Sequence, residues 1–288
     1  MPCAITGGLA CVEYGVADHT EDCDLICAST RAATVIEILQ LAVYRGTACQ
    51  YRRSSPPLDA RWLAGGYTSQ FYWPSQMPQH KEIPFLDIFG VPPRVSSSWT
   101  DDIAGSFAGL HPVAEMKRSQ RPRDWSQATA LGIELLKRGD ERGWLRIFDA
   151  DVLRDLLHEA SPGDREIGRR PVLRLALGRS PYLDRAIRTE VEFWTHLDHA
   201  RLRIYKECHS SYRRALQAHK DQPDDLMHQH VLRIRYAEDF LPMIPLQDYG
   251  IDRLIEDAKN ATGIGLDPAM LDYLPDAKIH FGNILEMS

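Results

Sequence analysis

Three aspartates and a glycine pair are the residues in this chain best suited to chemistry. Asp22 and Asp24 stand two apart in Asp22-Cys23-Asp24-Leu25-Ile26-Cys27, an alternation of acidic and apolar residues that reads as a half-buried strand. On a strand, positions i and i+2 project to one side, so the two carboxylates repel unless a cation neutralises them. A hard divalent ion such as Mg²⁺ or Mn²⁺ is the natural partner, because it accepts one or two carboxylates together with phosphate oxygens of a substrate. A third acid, Asp87, sits between Leu86 and Ile88 in another strand-like run. Gly7-Gly8 follow the apolar run Cys3 to Thr6, where the missing side chains let a phosphate approach the backbone at the start of a helix. A strand-to-helix turn also uses glycine for its dihedrals alone, and both readings stay open at this level.

Elements must place these residues. Residues 3 to 6 read as a buried strand and Leu9 to Tyr14 as a helix. Asp22 to Cys27 is a second strand, and Ser29 or Thr30 can cap a helix that Gly46 ends near Tyr44. Strands are expected at Thr47 to Arg52, Thr68 to Trp73 and Ile83 to Phe89, separated by Ser, Pro and Gly. This order implies a small mixed sheet with a covering helix or two. From about His111 strand-like segments almost vanish. Helices are expected at Pro112 to Ser119, Asp124 to Lys137, Asp149 to His158 and Tyr182 to His219. A Pro- and Asp-rich break at Asp221 to Asp225 precedes one more helical stretch and an irregular tail. The fold class is therefore α+β, with a domain over residues 1–110 and a mostly helical one over 111–288.

Gly-Gly at a helix start, the thirteen residues Leu9 to Glu21, then Asp-Cys-Asp-Leu on a strand together resemble the motif of the polymerase-β-like nucleotidyltransferases. Within that superfamily the segment Ala4 to Leu25, with Thr20 two residues before Asp22, is most similar to the AbiEii-type and minimal nucleotidyltransferases. The resemblance implies a third metal-binding carboxylate on a later strand, a place that Asp87 fits. It also implies a lysine after the sheet followed by a basic-acidic pair at a helix start, and Lys117 with Arg123-Asp124 matches that pattern. Asp22, Asp24 and Asp87 are then the catalytic and metal-binding residues, while Gly7, Gly8, Thr20 and Lys117 bind the nucleotide, and Asp124 caps the next helix and pairs with a nearby Arg. The implied reaction transfers a nucleoside monophosphate from an NTP to a hydroxyl of RNA, tRNA, protein or a small molecule, with release of pyrophosphate. The alternative is a catalytically silent module of the same fold, used for binding or regulation, for instance as a toxin-antitoxin component with a protein partner.

The likeness covers roughly residues 3 to 130, with two departures. Only Met1 and Pro2 precede the first strand, where the family has a helix, so either that helix is dispensable or the start lies upstream. Asp18 stands where the family often has Arg, two residues before Thr20.

Composition bounds the rest. Over 288 residues, 44% hydrophobic and 26% charged content suits a folded globular chain, and a net charge of −6 argues against non-specific coating of nucleic acid. No run approaches the ~20 apolar residues that span a bilayer, and the first residues lack the order of a signal peptide, so a cytoplasmic location with no membrane partner is expected. The six cysteines read as buried thiols, since Cys23 and Cys27 have no second matching pair to make a zinc site. His196/His199 and His228/His230 invite a metallohydrolase reading, but no His-Glu-x-x-His signature accompanies them. The apolar stripe from Leu183 to Leu216 reads as core packing, and the basic residues Arg201, Arg203, Lys206, Arg213 and Arg214 on its other faces as a solvated surface rather than a phosphate track.

Overall fold

The acidic-apolar alternation from Asp22 to Cys27 does form a strand, and its pairing organises the sheet. The structure is a computed structural model, which describes residues 3–20, 22–74, 84–91, 94, 98–219, 225–264 and 268–281. In chain order the elements are β1 (Cys3–Thr6), α1 (Gly7–Glu13), β2 (Asp22–Cys27), α2 (Ala32–Leu41), β3 (Val43–Tyr44), β4 (Thr47–Ala48), β5 (Gln50–Tyr51), α3 (Ala60–Ala64), β6 (Thr68–Tyr72), β7 (Phe85–Phe89), β8 (Ile103–Ala104) and β9 (Phe107–Ala108). Helices follow: α4 (Leu110–Met116), α5 (Pro122–Lys137), α6 (Ala150–Glu159), α7 (Asp164–Arg169), α8 (Val172–Leu177), α9 (Leu183–Ala218), α10 (Leu226–Phe240), α11 (Pro245–Tyr249) and α12 (Ile251–Gly263). Among the described residues no strand follows β9, so the fold is mixed α+β with a helical second half.

Seven strands form one mixed sheet in the order β5-β6-β7-β2-β1-β9-β8. β2 pairs antiparallel with β1 and parallel with β7, and β6 pairs antiparallel with β7. Because side chains alternate along a strand, this register sorts residues to two faces. One face carries Ala4 and Ile26, packed against Ala10 and Cys11 of α1, Val113 and Ala114 of α4, and Leu131 of α5. The other carries Cys27, Phe71 and Ile88, packed against Val35, Ile36 and Leu39 of α2 and Leu63 of α3. Helices thus cover both faces, more than the helix or two expected.

The helix expected to reach Tyr44 stops at Leu41. Arg45 and Gly46 adopt φ of 49° and 79°, the left-handed pair of a tight two-residue hairpin, and Tyr44 pairs with Thr47. Gly46 therefore turns a hairpin rather than ending a helix. The expected strand over Thr47 to Arg52 divides, β4 staying in that hairpin and β5 joining the main sheet. Ile83 and residues 221–224 of the expected break lie outside the described residues; Asp225 caps α10 by accepting from the His228 N–H at 3.0 Å. Three helices rather than one follow the break. No described helix is long and apolar enough to cross a membrane.

Buried ion pairs tie the helical half to the loop after α4. Asp198 on α9, with 2% of its side chain exposed, accepts from Arg94 at 2.5 Å, from Arg201 at 2.9 Å and from the Gln120 backbone N–H at 3.2 Å. Arg201 is thereby drawn out of the basic surface stripe. Burial alone would raise the Asp198 pKa, but the guanidinium groups of Arg94 and Arg201 and these hydrogen bonds bring it down to about 2. A lowered carboxylate pKa stabilises the fold above its ordinary value, and the contribution disappears as pH falls from about 4 through 2. Asp198→Asn, which strands two arginines, is expected to cost about 3 kcal/mol at pH 7 in urea unfolding, and to flatten the wild-type loss of stability between pH 4 and 2. An unchanged midpoint would remove this ion cluster as the anchor of the loop.

Candidate active site

Asp24 lies opposite Asp87 across the parallel β2/β7 pair, and Asp22 stands two residues before Asp24 on the same face. All three carboxylates therefore share the sheet face covered by α1, α4 and α5. They occupy the end beyond Ile26, where apolar cover gives way to a cleft. Gln70 lies opposite Asp87 on β6, and its Nε2 donates to Asp87 Oδ2 at 2.9 Å. The other oxygen, Asp87 Oδ1, is buried and has no hydrogen-bond partner among the described residues.

The electrostatics follow from this crowding. Burial, reinforced by the charges of Asp87 and Asp22, pushes the Asp24 pKa up to about 6, although Lys117 and Arg121 pull the other way. Burial also raises that of Asp87, against the Gln70 hydrogen bond and the charge of Arg52. The face thus carries excess negative charge that its cationic neighbours do not offset.

Gly7 has φ of 62°, and a Cβ there would lie 1.8 Å from Asp24 Oδ2. A Cβ on Gly8 would lie 2.2 Å from Thr20 Oγ1. In this arrangement the room made by the glycines is filled by the acid and the hydroxyl of the motif itself. The fixed Gly-Gly to Asp-x-Asp spacing has that packing as its physical content. Thr20 Oγ1 also accepts from the Asp22 N–H at 3.4 Å, which holds the turn into β2.

A cleft of about 260 Å³ opens beside Asp22, lined by Gly8, Ala17, His19, Thr20, Asp22, Lys117, Arg123 and Gln127. Four residues singled out in the sequence, Gly8, Thr20, Asp22 and Lys117, meet there. Lys117 follows α4 and lies 3.6 Å from Asp124 Oδ1. Asp124 departs from expectation: α5 begins at Pro122, so Asp124 sits in its first turn rather than capping it. Its partners are Lys117 and the Ser119 hydroxyl rather than an arginine.

Arg123, Gln127 and Gln70 were not foreseen as site residues. The first two are four apart on α5 and so share a helix face, a signal present in the sequence. Gln70 has no local signal, since only strand register brings it to Asp87. The histidine pairs do not converge on this cleft. His230 is buried, 2.8 Å from the Tyr51 hydroxyl, while His228 is exposed beside Asp225. All six cysteines are free thiols, with Cys11, Cys27 and Cys49 buried and Cys3, Cys23 and Cys208 partly so.

Comparison with protein-family models, with curated proteins and with solved structures gives no match in any of the three. The arrangement of the site must therefore speak for its own chemistry. Its hard carboxylate oxygens, one of them buried with no hydrogen-bond partner among the described residues, are of the kind that holds Mg²⁺ or Mn²⁺. Among the described residues, no three His, Cys, Asp or Glu side chains are placed to enclose an ion unaided. An ion here would complete its shell with water and substrate oxygens, as Mg²⁺ commonly does.

Two outcomes test this packing and charge. Gly7→Ala should cost distinctly more in urea unfolding than Gly15→Ala. Both glycines have positive φ, worth roughly 1–2 kcal/mol each, but a Cβ on Gly15 meets nothing within 4 Å. Equal losses would mean that Asp24 does not depend on the gap at Gly7. Because the folded pKa of Asp24 lies above the ordinary 3.8, folding stability should fall as pH rises from about 4 to 6 on its account. Asp24→Asn is expected to raise the melting temperature at pH 8 by roughly 2 °C or more and to weaken that pH dependence. A lower melting temperature in the variant would contradict the electrostatic account.

Proposed function

We propose that this protein is a metal-dependent nucleotidyltransferase of the polymerase-β-like kind, closest to the AbiEii-type and minimal enzymes. It moves a nucleoside monophosphate from an NTP to a hydroxyl acceptor and releases pyrophosphate. The observation that carries the reading is the register of β2 on β7, with Asp22, Asp24 and Asp87 on one face beside a cleft bearing Lys117 and Arg123. A cleft lined by Lys117, Arg123 and the carboxylate of Asp22, with Asp24 and Asp87 on the same sheet face outside the lining, suits a triphosphate bridged to metal. No Phe, Tyr or Trp is among the described residues that line it, and His19 supplies its one ring.

Asp22, Asp24 and Asp87 would hold the divalent ions, which supply charge neutralisation of the triphosphate and of the attacking oxygen. Lys117 and Arg123 bind and orient the phosphate tail, with Gly8 and Thr20 on the same wall. Asp87, whose carboxylate is made more basic by burial, is suited to take the proton of the acceptor hydroxyl through Oδ1, which has no hydrogen-bond partner among the described residues. Gln70 keeps the other oxygen of Asp87 in place. The acceptor, whether RNA or tRNA, protein or small molecule, would be selected by the helical half, and a cytoplasmic location is part of the same reading.

A second reading, a silent module of the same fold that serves as a binding or toxin-antitoxin partner, is favoured by one observation. Gly7 and Gly8 are already packed by Asp24 and Thr20.

Incubation with Mg²⁺ and each α-labelled NTP, using cellular RNA and protein as acceptors, separates the two. Transfer should occur in the wild type and drop at least ~10²-fold in Asp22→Ala and in Asp87→Ala. Lys117→Ala should chiefly raise KM for the NTP. NTP binding without transfer in any acceptor pool supports the silent module, and neither binding nor transfer overturns the enzyme reading.

A further inference from the structure

A second concentration of charge lies outside the carboxylate face. Arg118, Arg146 and Arg170 are each no more than 2% exposed, and arginines are buried this deeply only when paired. Among the described residues two carboxylates pair with them. Glu115 lies 3.4 Å from Arg118 and also pairs with Arg146, and Glu190 lies 2.9 Å from Arg170. His111, beside Glu115, and His280, 3.0 Å from the Arg118 guanidinium, add no charge, because burial holds both imidazoles neutral. Among the described residues these three buried cations thus pair with two buried carboxylates.

At this imbalance the structure has a cavity of about 20 Å³, lined by Arg118, Arg146, Arg169, Arg170, Glu190 and His280 among others. Among the described residues Arg146 Nε is buried with no hydrogen-bond partner, while Arg170 Nη2 is ion-paired with Glu190 at 2.9 Å. Buried donors left without acceptors are costly, and an anion both satisfies them and cancels the surplus charge. The volume admits one water-sized occupant, which excludes a nucleotide phosphate and fits a single-atom ion.

We propose that this cavity is a structural binding site for a halide ion, chloride in the cell, held by the guanidinium groups of Arg118, Arg146 and Arg170. Its occupancy stabilises the junction of the α4–α5 loop with α7 and α9 and is independent of the nucleotide cleft.

The test is thermal unfolding of the full chain at constant ionic strength while sodium gluconate is exchanged for sodium bromide. The wild type should gain about 2 °C for each tenfold rise in halide above its dissociation constant. In Ile279→Glu, which places a carboxylate at the lining of the same cavity, the halide dependence should vanish and the melting temperature in gluconate should exceed that of the wild type. No halide dependence in the wild type, or an equal dependence in both proteins, overturns the proposal. If Ile279→Glu does not fold, wild-type crystals grown in bromide decide. An anomalous peak against Arg118, Arg146 and Arg170 supports the site, and its absence rejects it.

Discussion

The parallel pairing of β2 with β7 is the constraint on which the rest of the site depends. Asp22 and Asp24 share a face because a strand alternates, but nothing local obliges a residue sixty positions later to join them. The ladder does so by setting Asp24 opposite Asp87 and Asp87 opposite Gln70. A slip of one residue would send Asp87 to the opposite face, among Ile88 and Phe71, where an unpaired carboxylate is unfavourable. The apolar residues on that opposite face therefore hold the acids in place indirectly. Burying Leu86 and Ile88 against α2 and α3 selects the register that turns Asp87 toward Asp24.

Like charges held this close oppose folding, and the raised pKa values of Asp24 and Asp87 express that opposition. Stability has to come from elsewhere, and the two apolar layers on either side of the sheet provide it. A local cluster that lowers stability while its surroundings hold it rigid is the usual physical signature of a site kept for binding or catalysis. The proposed transferase accounts for the cluster through a cation and a triphosphate that would relieve it.

The loop that delivers Lys117 is set from the helical half. Arg94 and Gln120 both bond Asp198, and Arg118 donates to the Arg94 carbonyl at 2.7 Å, so the segment between α4 and α5 is fastened to α9. The long helix thus has a positioning role beyond its apolar stripe. The packing core behind the sheet likewise runs across position 110, with Val113, Ala114 and Leu131 completing the layer over Ala4 and Ile26. The change at 110 is one of secondary structure, while the hydrophobic layer continues through it.

Elements with strong local periodicity were legible from residue order. β2 was evident from its alternation, and α9, expected over Tyr182 to His219, spans Leu183–Ala218, because a long amphipathic stripe has few competing conformations. Of the two-residue strands, β3, β8 and β9 were not legible, being too short to show a period beside the tight turns that Gly46 and Gly105 permit, while β4 and β5 fell within the single strand expected over Thr47 to Arg52. At the site, the glycine pair and the two aspartates announced themselves by spacing, and their contacts explain that spacing. Gln70 at Asp87, the change of Asp124 from helix cap to partner of Lys117, and the arginine cavity all depend on strand register and helix packing across the chain. Except for Asp124 and Lys117, which are close in sequence, those contacts join residues far apart in the chain, so local patterning holds no trace of them.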